Sequence, residues 1–366
     1  MSKRQHILVI SDSFPVPFQL GGGAQRTKLL LDVLCSIADV DAIFLERREG
    51  LEVQATLRTR HPYRLLGVVA AKGPVHPRLK KSVLKLPWRI AGPLLGLLDD
   101  LDMRSPHPSV ARAVREMSSG RDYDMVIGRH LSSVLITDAF SAWKGRVVVD
   151  CDDLYWQMLQ WQLSLPQEPM KPAARLGLWF RMLLSRRRDK YWLRQCAGVW
   201  VANPRDLSAV PASTKGVLPN IPFLDALPPG DDLAPESPRC QRRPLLFVGN
   251  LGCRPNADGL DHFLARVWPQ VRTKVPDAVL RLVGGDASPE TIPRWSSVPG
   301  VEVAGYIENL VPEYRQASAC IAPVYWGSGT KIKVLESLSF ARPCVVTPHA
   351  YCGFEADFQD GETVLC

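Results

Sequence analysis

The chain has 366 residues, which at roughly 100 to 200 residues per domain is enough for two domains with sizeable cores. An apolar share of 46% and a charged share of 22% exclude an intrinsically disordered chain and a multi-span membrane protein. The balance of 45 Lys and Arg against 37 Asp and Glu gives a net charge of +8, whose meaning depends on where the cations lie. The nine cysteines are scattered without a Cys-x-x-Cys pair, which argues against a zinc site or a disulfide scaffold and for a reducing compartment. No apolar run has the length of a membrane span, and Met1 to His6 lacks the apolar core of a signal peptide, so the expected location is the cytoplasm.

In chain order, the run His6 to Ile10 (HILVI) predicts a buried parallel strand at the head of an α/β unit. A loop with Pro15, Pro17 and the glycines Gly21 to Gly23 follows, then a helix from Ala24 bearing Leu30, Val33, Leu34 and Ile37, and a strand over Asp41 to Leu45. Met125 to Ile127 and Val147 to Val149 read as further strands, Trp156 to Arg194 as one or two helices, and Gly198 to Ala202 as another strand. Prolines crowd the stretch from Leu218 to Arg243, which reads as a linker between an N-terminal domain (1–217) and a C-terminal domain (244–366).

The second series runs strand Leu245 to Val248, helix Asn256 to Val275, strand Ala278 to Val283, strand Val301 to Val303, helix Leu310 to Gln316, strand Ala319 to Ala322, helix Lys331 to Phe340 and strand Pro343 to Thr347. A final short strand ends the chain. The fold class is therefore α/β, two Rossmann-like doubly wound domains, with ligands expected in a cleft where strand ends face each other.

Two glycine-rich turns can carry chemistry. Gly21-Gly22-Gly23 leads into Ala24-Gln25-Arg26, where backbone amides at a helix start can meet an anion. A dinucleotide fingerprint needs glycine where Arg26 stands and a tight turn directly after the strand; Glu46, at the end of the second strand, sits where a ribose-reading acid would. The second turn is Gly327-Ser328-Gly329-Thr330, with Thr330 as a candidate cap, followed by Lys331, Lys333 and Glu336 on a helix. Its amides and cations suit a diphosphate, and Glu336 suits sugar hydroxyls. His130, in the sequence Ile-Gly-Arg129-His130 after a strand, and the run Asp150-Cys151-Asp152-Asp153 stand at carboxyl ends of strands, where they can contact an acceptor; three carboxylates can also bind a metal or cap a helix.

The segment FVGNLGCRPNAD from Phe247 to Asp258, Val267-Trp268-Pro269, Leu282 to Gly285, Val301 to Tyr306, Ala322-Pro323, the run Gly327 to Glu336 and Pro343 to Thr347 together resemble the GT-B glycosyltransferases of family 4, as does Gly22 to Arg26 more loosely. The resemblance implies a retaining transferase that moves a sugar from a UDP- or GDP-sugar to a hydroxyl acceptor, with no metal and no cofactor beyond the nucleotide-sugar co-substrate. It implies donor contacts from Gly22, Gly23, Arg26, Arg254, Gly329, Thr330, Lys331, Lys333 and Glu336, and acceptor-side catalytic roles for His130 and Asp152. The family's Glu-x7-Glu pair has Glu336 as its second acid; Ser328 occupies the position of the first, a departure at the acid that normally touches the sugar. Analogy points to a glycan or lipid-linked precursor of a cell-surface polysaccharide as acceptor. A non-catalytic nucleotide-sugar-binding remnant or partner subunit is the alternative, and an NAD-dependent oxidoreductase a third class.

The basic excess is local. Arg64, Lys72, Arg78, Lys80, Lys81 and Lys85 precede the apolar run Ile90 to Leu98, and the stretch Arg181 to Arg194 interleaves Arg186, Arg187, Arg188 and Lys190 with Trp192 and Leu193. Such interleaving suits an anionic membrane surface, and no nucleic-acid motif accompanies it. Relatives continue past the position of Cys366, so the resemblance further implies that roughly 40 to 60 residues are missing, leaving the second domain incomplete and one sheet face uncovered.

Overall fold

The alternation of side chains along a buried strand explains how the first half is built. In strand β1 (His6–Ser11), Leu8 and Ile10 point to one core and Ile7 and Val9 to another, as expected when helices cover both faces of a parallel sheet. The computed structural model describes residues 4–15, 22–46, 56–58, 60–71, 105–164, 171–222, 243–327, 329–362 and 364–366. These form two compact units, the first made of the described residues up to Pro219 except Gly22, and the second of Gly22 together with the residues from Asn220 onwards.

The first unit contains β1, β2 (Asp39–Glu46), β3 (Arg64–Ala70), β4 (Met125–Arg129), β5 (Val147–Cys151), β6 (Gly198–Val201) and β7 (Lys215–Val217). They make one parallel sheet in the order β3-β2-β1-β4-β5-β6-β7, with Val9 opposite both Ala42 and Ile127. The chain reverses its direction of winding between β1 and β4. That is the point at which doubly wound sheets bind ligands, outside the carboxyl ends of the strands.

The second unit repeats the plan with β8 (Leu245–Val248), β9 (Leu280–Val283), β10 (Val301–Gly305), β11 (Ala319–Ala322), β12 (Cys344–Val346) and β13 (Val364–Leu365), in the order β10-β9-β8-β11-β12-β13 and again parallel throughout. Leu246 faces one core and Phe247 the other. The switch point here lies between β8 and β11. Gly259, on the helix Arg254–His262, brings that helix against the end of β11 so closely that a Cβ there would lie 2.0 Å from the Pro323 carbonyl oxygen.

Most strands stand where the apolar runs predict them. The first helix begins earlier than expected, as Gly22–Ile37, and the long helical stretch resolves into Tyr155–Ser164 and Pro172–Leu193. The helix expected from Asn256 starts at Arg254 and continues through a π-helical turn, Phe263–Val267, to Lys274. Strand β3, the short β7 and the helix Pro108–Ser118 are additions to the elements expected above; the helix has Pro at its start and buries Val110, Ala111, Val114 and Ser118 on one face. β3 is an edge strand, mostly half-buried and paired only with β2 across a register shift at Ala42, and its apolar run Leu65 to Ala70 is the sequence signal that marks it. Residues 223–242 of the expected linker, 72–98 of the first basic and apolar tract, Gly21 and Ser328 lie outside the described residues.

Candidate functional site

In the second unit the switch point is lined by the turn after β8 and by the segment linking β11 to the helix Ile332–Ser339. Lys333 reaches from that helix to the end of β8. Its Nζ donates to Asn256 Oδ1 at 2.6 Å and lies 5.1 Å from the centre of the Phe247 ring. Asn256 is held in turn by donating from Nδ2 to the Asn250 carbonyl. The absence of a side chain at Gly249 makes room for this arrangement, since a Cβ there would lie 3.2 Å from Lys333 Cε. Burial, then the neighbouring Lys331, push the Lys333 ammonium down to about 8.

Glu336 is one turn further along the same helix, so it shares a face with Lys333. Its Oε2 accepts from the Tyr314 hydroxyl at 3.3 Å, and the Tyr314 ring stacks on Phe340 at 4.4 Å between centres. Burial and the Glu336 charge raise the Tyr314 hydroxyl well above its ordinary value, so it remains a donor. Arg254 opens its helix with its Nε 3.5 Å from Asp258 and its side chain 54% exposed, a cation on the rim.

The expected cap is corrected: the N-cap of Ile332–Ser339 is Lys331, whose backbone is extended and whose side chain makes no capping bond. Thr330 instead accepts from Asn220 Nδ2 at 2.8 Å through its hydroxyl, and Lys331 Nζ donates to the Gly329 carbonyl at 3.1 Å. Gly329 has φ 68°, a left-handed conformation that suits glycine. His349, not singled out from the sequence, fixes the same turn: its Nε2 lies 2.9 Å from the Gly327 carbonyl oxygen, and burial followed by Lys331 lowers it to about 4. At neutral pH the ring is uncharged, and Nε2 carries the proton it donates.

The first unit gathers Asp12, Arg129, His130, Asp150 and Asp152 at the carboxyl ends of β1, β4 and β5. Arg26 is buried and grips Asp150 with two bonds, Nε to Oδ2 at 2.9 Å and Nη2 to Oδ1 at 2.6 Å, while Nη1 donates to the Leu218 carbonyl. Arg129, fully buried, lies 3.5 Å from Asp150 and donates to Asp152 at 2.9 Å. These pairings show where two residues expected to meet the ligands stand in the fold. Arg26 is a cation of the first unit's frame, because its guanidinium is committed to Asp150 and the main chain. Asp152 is paired with Arg129 and charged: burial raises its carboxyl, but Arg129 and then Arg26 outweigh that and hold it far below the usual carboxylate range.

The acidic run is thus neutralised by arginines, and among the described residues no group of three or more His, Cys, Asp or Glu is placed to hold a metal ion. His130 is differently placed. Its backbone is left-handed at φ 68°, its amide donates to the Asp150 carbonyl, and its Nδ1 lies 2.7 Å from Asp12 Oδ1. Ser132 also donates to Asp12, at 3.3 Å. The imidazole is therefore oriented by a carboxylate from β1's end and remains 31% exposed, an arrangement that suits contact with a hydroxyl. Asp12 carries no sequence signal of its own, since its partner is 118 positions away.

Gly22 and Gly23 open the first helix, and a Cβ on Gly23 would lie 3.1 Å from Ser13 Oγ, so the glycine lets the helix start approach the turn after β1. Residues 12–21 intervene between β1 and this helix. That is too long for the tight strand-to-helix turn of a dinucleotide fingerprint, even though Glu46 does end β2.

Residues 242–366 match the family model described as "Glycosyl transferases group 1". No curated protein matches the chain. Among solved structures, Anabaena Alr3699/HepE in complex with UDP and glucose is similar at 13% identity, over 99% of this chain and 85% of that one, with a TM-score of 0.57. A glycosyltransferase from Rickettsia africae ESF-5 is similar at 13% identity over 98% and 82%, TM-score 0.56. S. aureus MnaA, in a co-structure with UDP, is similar at 10% identity over 93% and 79%, TM-score 0.50. At these identities the structural likeness speaks for the fold. The chain therefore has the GT-B fold of two Rossmann-like domains, and its residues 242–366 match the glycosyltransferase group 1 family model.

Proposed function

We propose that the protein is a retaining glycosyltransferase that moves a sugar from a UDP- or GDP-sugar to a hydroxyl of a glycan or lipid-linked precursor of a cell-surface polysaccharide, with no metal ion. The observation that carries this reading is the Lys333 ammonium at the end of β8, with Glu336 one turn away on the same helix face. A nucleoside diphosphate presents two features, a compact negative charge and a ribose with two hydroxyls. Lys333 and the amides around Gly329 and Lys331 meet the first, and the Glu336 carboxylate meets the second. Arg254 adds charge from the rim. The match to UDP-bound structures supports this choice of ligand.

In the reaction, the bond from the anomeric carbon to the phosphate oxygen breaks and a bond from that carbon to the acceptor oxygen forms on the same face. Negative charge grows on the departing diphosphate, and a fixed ammonium favours that state over the bound substrate. His130, oriented by Asp12, is the acceptor-side contact. The hydroxyl proton passes to the departing phosphate oxygen, which balances the charge.

Calorimetric titration of the whole chain with UDP, GDP and NAD in the presence of EDTA tests the donor assignment. The expected result is binding of UDP or GDP alone, weakened by about 1–3 kcal/mol in Glu336→Ala, the scale of hydrogen bonds to a charged group. Unchanged affinity in that variant would remove Glu336 from the donor site. NAD binding with no uridine or guanosine nucleotide binding would overturn the transferase reading.

A further inference from the structure

The helix Pro172–Leu193 is apolar on two opposite sides. Its inner side, formed by Leu178, Met182, Ser185, Asp189 and Leu193, is buried, and Leu178 and Met182 close a small core with Leu159 of the helix Tyr155–Ser164. At 100° per residue the opposite quadrant carries Leu176, Phe180, Leu184 and Tyr191, which are 57, 51, 47 and 59% exposed. Trp179 borders that stripe, 44% exposed and edge-on to Phe180 with ring centres 5.1 Å apart. A helix face turned to water alone is expected to be polar, and an exposed apolar stripe broken only by Arg187 marks a surface that is covered when the protein works.

The charges say what covers it. The helix carries Arg175, Arg181, Arg186, Arg187, Arg188 and Lys190 against one acid, Asp189, which is buried. Arg187 lies within the outer stripe, while Arg186 and Lys190 flank it over the ring of Trp156. A second copy offered face to face would set cation against cation. A nucleic acid would answer the arginines and leave the exposed leucines in water. A leaflet containing anionic phospholipid supplies both the negative charge and the hydrocarbon, and no described helix of the protein is long and apolar enough to cross it.

We propose that the helix Pro172–Leu193 docks the protein on an anionic phospholipid surface, lying in the interface plane with Leu176, Trp179, Phe180 and Leu184 entering the acyl boundary and Arg187, flanked by Arg186 and Lys190, among the phosphates. Aromatic and leucine side chains at interfacial depth, with basic residues around them, are the chemistry of such binding. The inference rests on the first unit alone and is independent of the donor assignment.

Co-sedimentation with vesicles of phosphatidylcholine, or of phosphatidylcholine with about one-third phosphatidylglycerol, tests it. The expected outcome is binding to the anionic vesicles only, weakened at least tenfold on going from about 0.1 to about 1 M NaCl. Trp179→Ser/Phe180→Ser and Arg187→Glu should each weaken it by about tenfold or more while leaving the melting curve and UDP titration unchanged. Equal binding to both vesicles, or full binding by either variant, would overturn the proposal. A concentration-dependent dimer lost in Trp179→Ser/Phe180→Ser would assign the stripe to a second copy. Binding of an RNA oligomer that depends on the arginines but not on the aromatic pair would assign it to nucleic acid.

Discussion

Lys333 shows how one side chain can be costly to the fold and useful to a ligand. Burial pushes its ammonium from an ordinary 10.5 to about 8, so the folded protein binds fewer protons than the unfolded chain between those values. The sign follows: this group costs stability below pH 8, and that cost is relieved as the pH rises from about 8 towards 10.5. A diphosphate needs the charged form. UDP affinity should therefore be level below about pH 8 and fall above it, with log K losing up to about one unit per pH unit as binding takes up a proton. In Lys333→Arg, whose guanidinium stays charged, titrations over the same range should be level. Equal slopes in the two proteins would exclude Lys333 from the phosphate contact. Replacing it by methionine should abolish the contact and raise the Tm, because a buried charge is exchanged for an apolar chain of similar length.

Helices are tied to strands by contacts of comparable specificity. The helix Gly22–Ile37 is anchored to β5 by the two-pronged Arg26–Asp150 pair, which also engages Arg129 from β4 and so joins three elements at the carboxyl edge of the first sheet. Removing one member of a buried pair leaves the other charged and poorly solvated. Arg26→Ala should destabilise the first unit by about 3 kcal/mol in urea unfolding, at the lower end of the range because Arg129 still faces Asp150. A loss below about 0.5 kcal/mol would deny the pair this framing role. Since Arg26 lies in the frame and not on the donor, the same variant's UDP affinity, measured while folded, should be unchanged.

Each unit has a core of its own on both faces of its sheet, Leu8 with Val126 and Phe44 with Leu31 in the first, Leu246 with Val346 and Phe247 with Leu282 in the second. Two cores of this kind unfold as separable events when few contacts couple them. Differential scanning calorimetry should show UDP, at about 100 times its Kd, stabilising the transition of the second unit by about 2.7 kcal/mol. A shift confined to the other transition would place the nucleotide on the first unit.

Apolar patterning along the chain is enough to read the α/β class, the two series of strands and the main helices between them. A strand buried on both faces is written as a continuous apolar run, and β8 and β11 match those runs residue for residue. The sequence also marks the segment Gly327 to Glu336 as a donor-site candidate, since glycines, lysines and an acid lie within one short stretch of chain. The partners of the charged groups are legible only once the chain is folded. Arg26 and Asp152 look in sequence like free ionic groups, yet each meets its partner across the sheet, Arg26 with an acid 124 positions away. Asp12 and His349 gain their places through partners on other elements, His130 and Gly327. Local spacing records which faces of a helix or strand are apolar, whereas the pairing of buried charges is settled by which strand ends the fold brings together, and there the low dielectric and the loss of water make a single partner decisive.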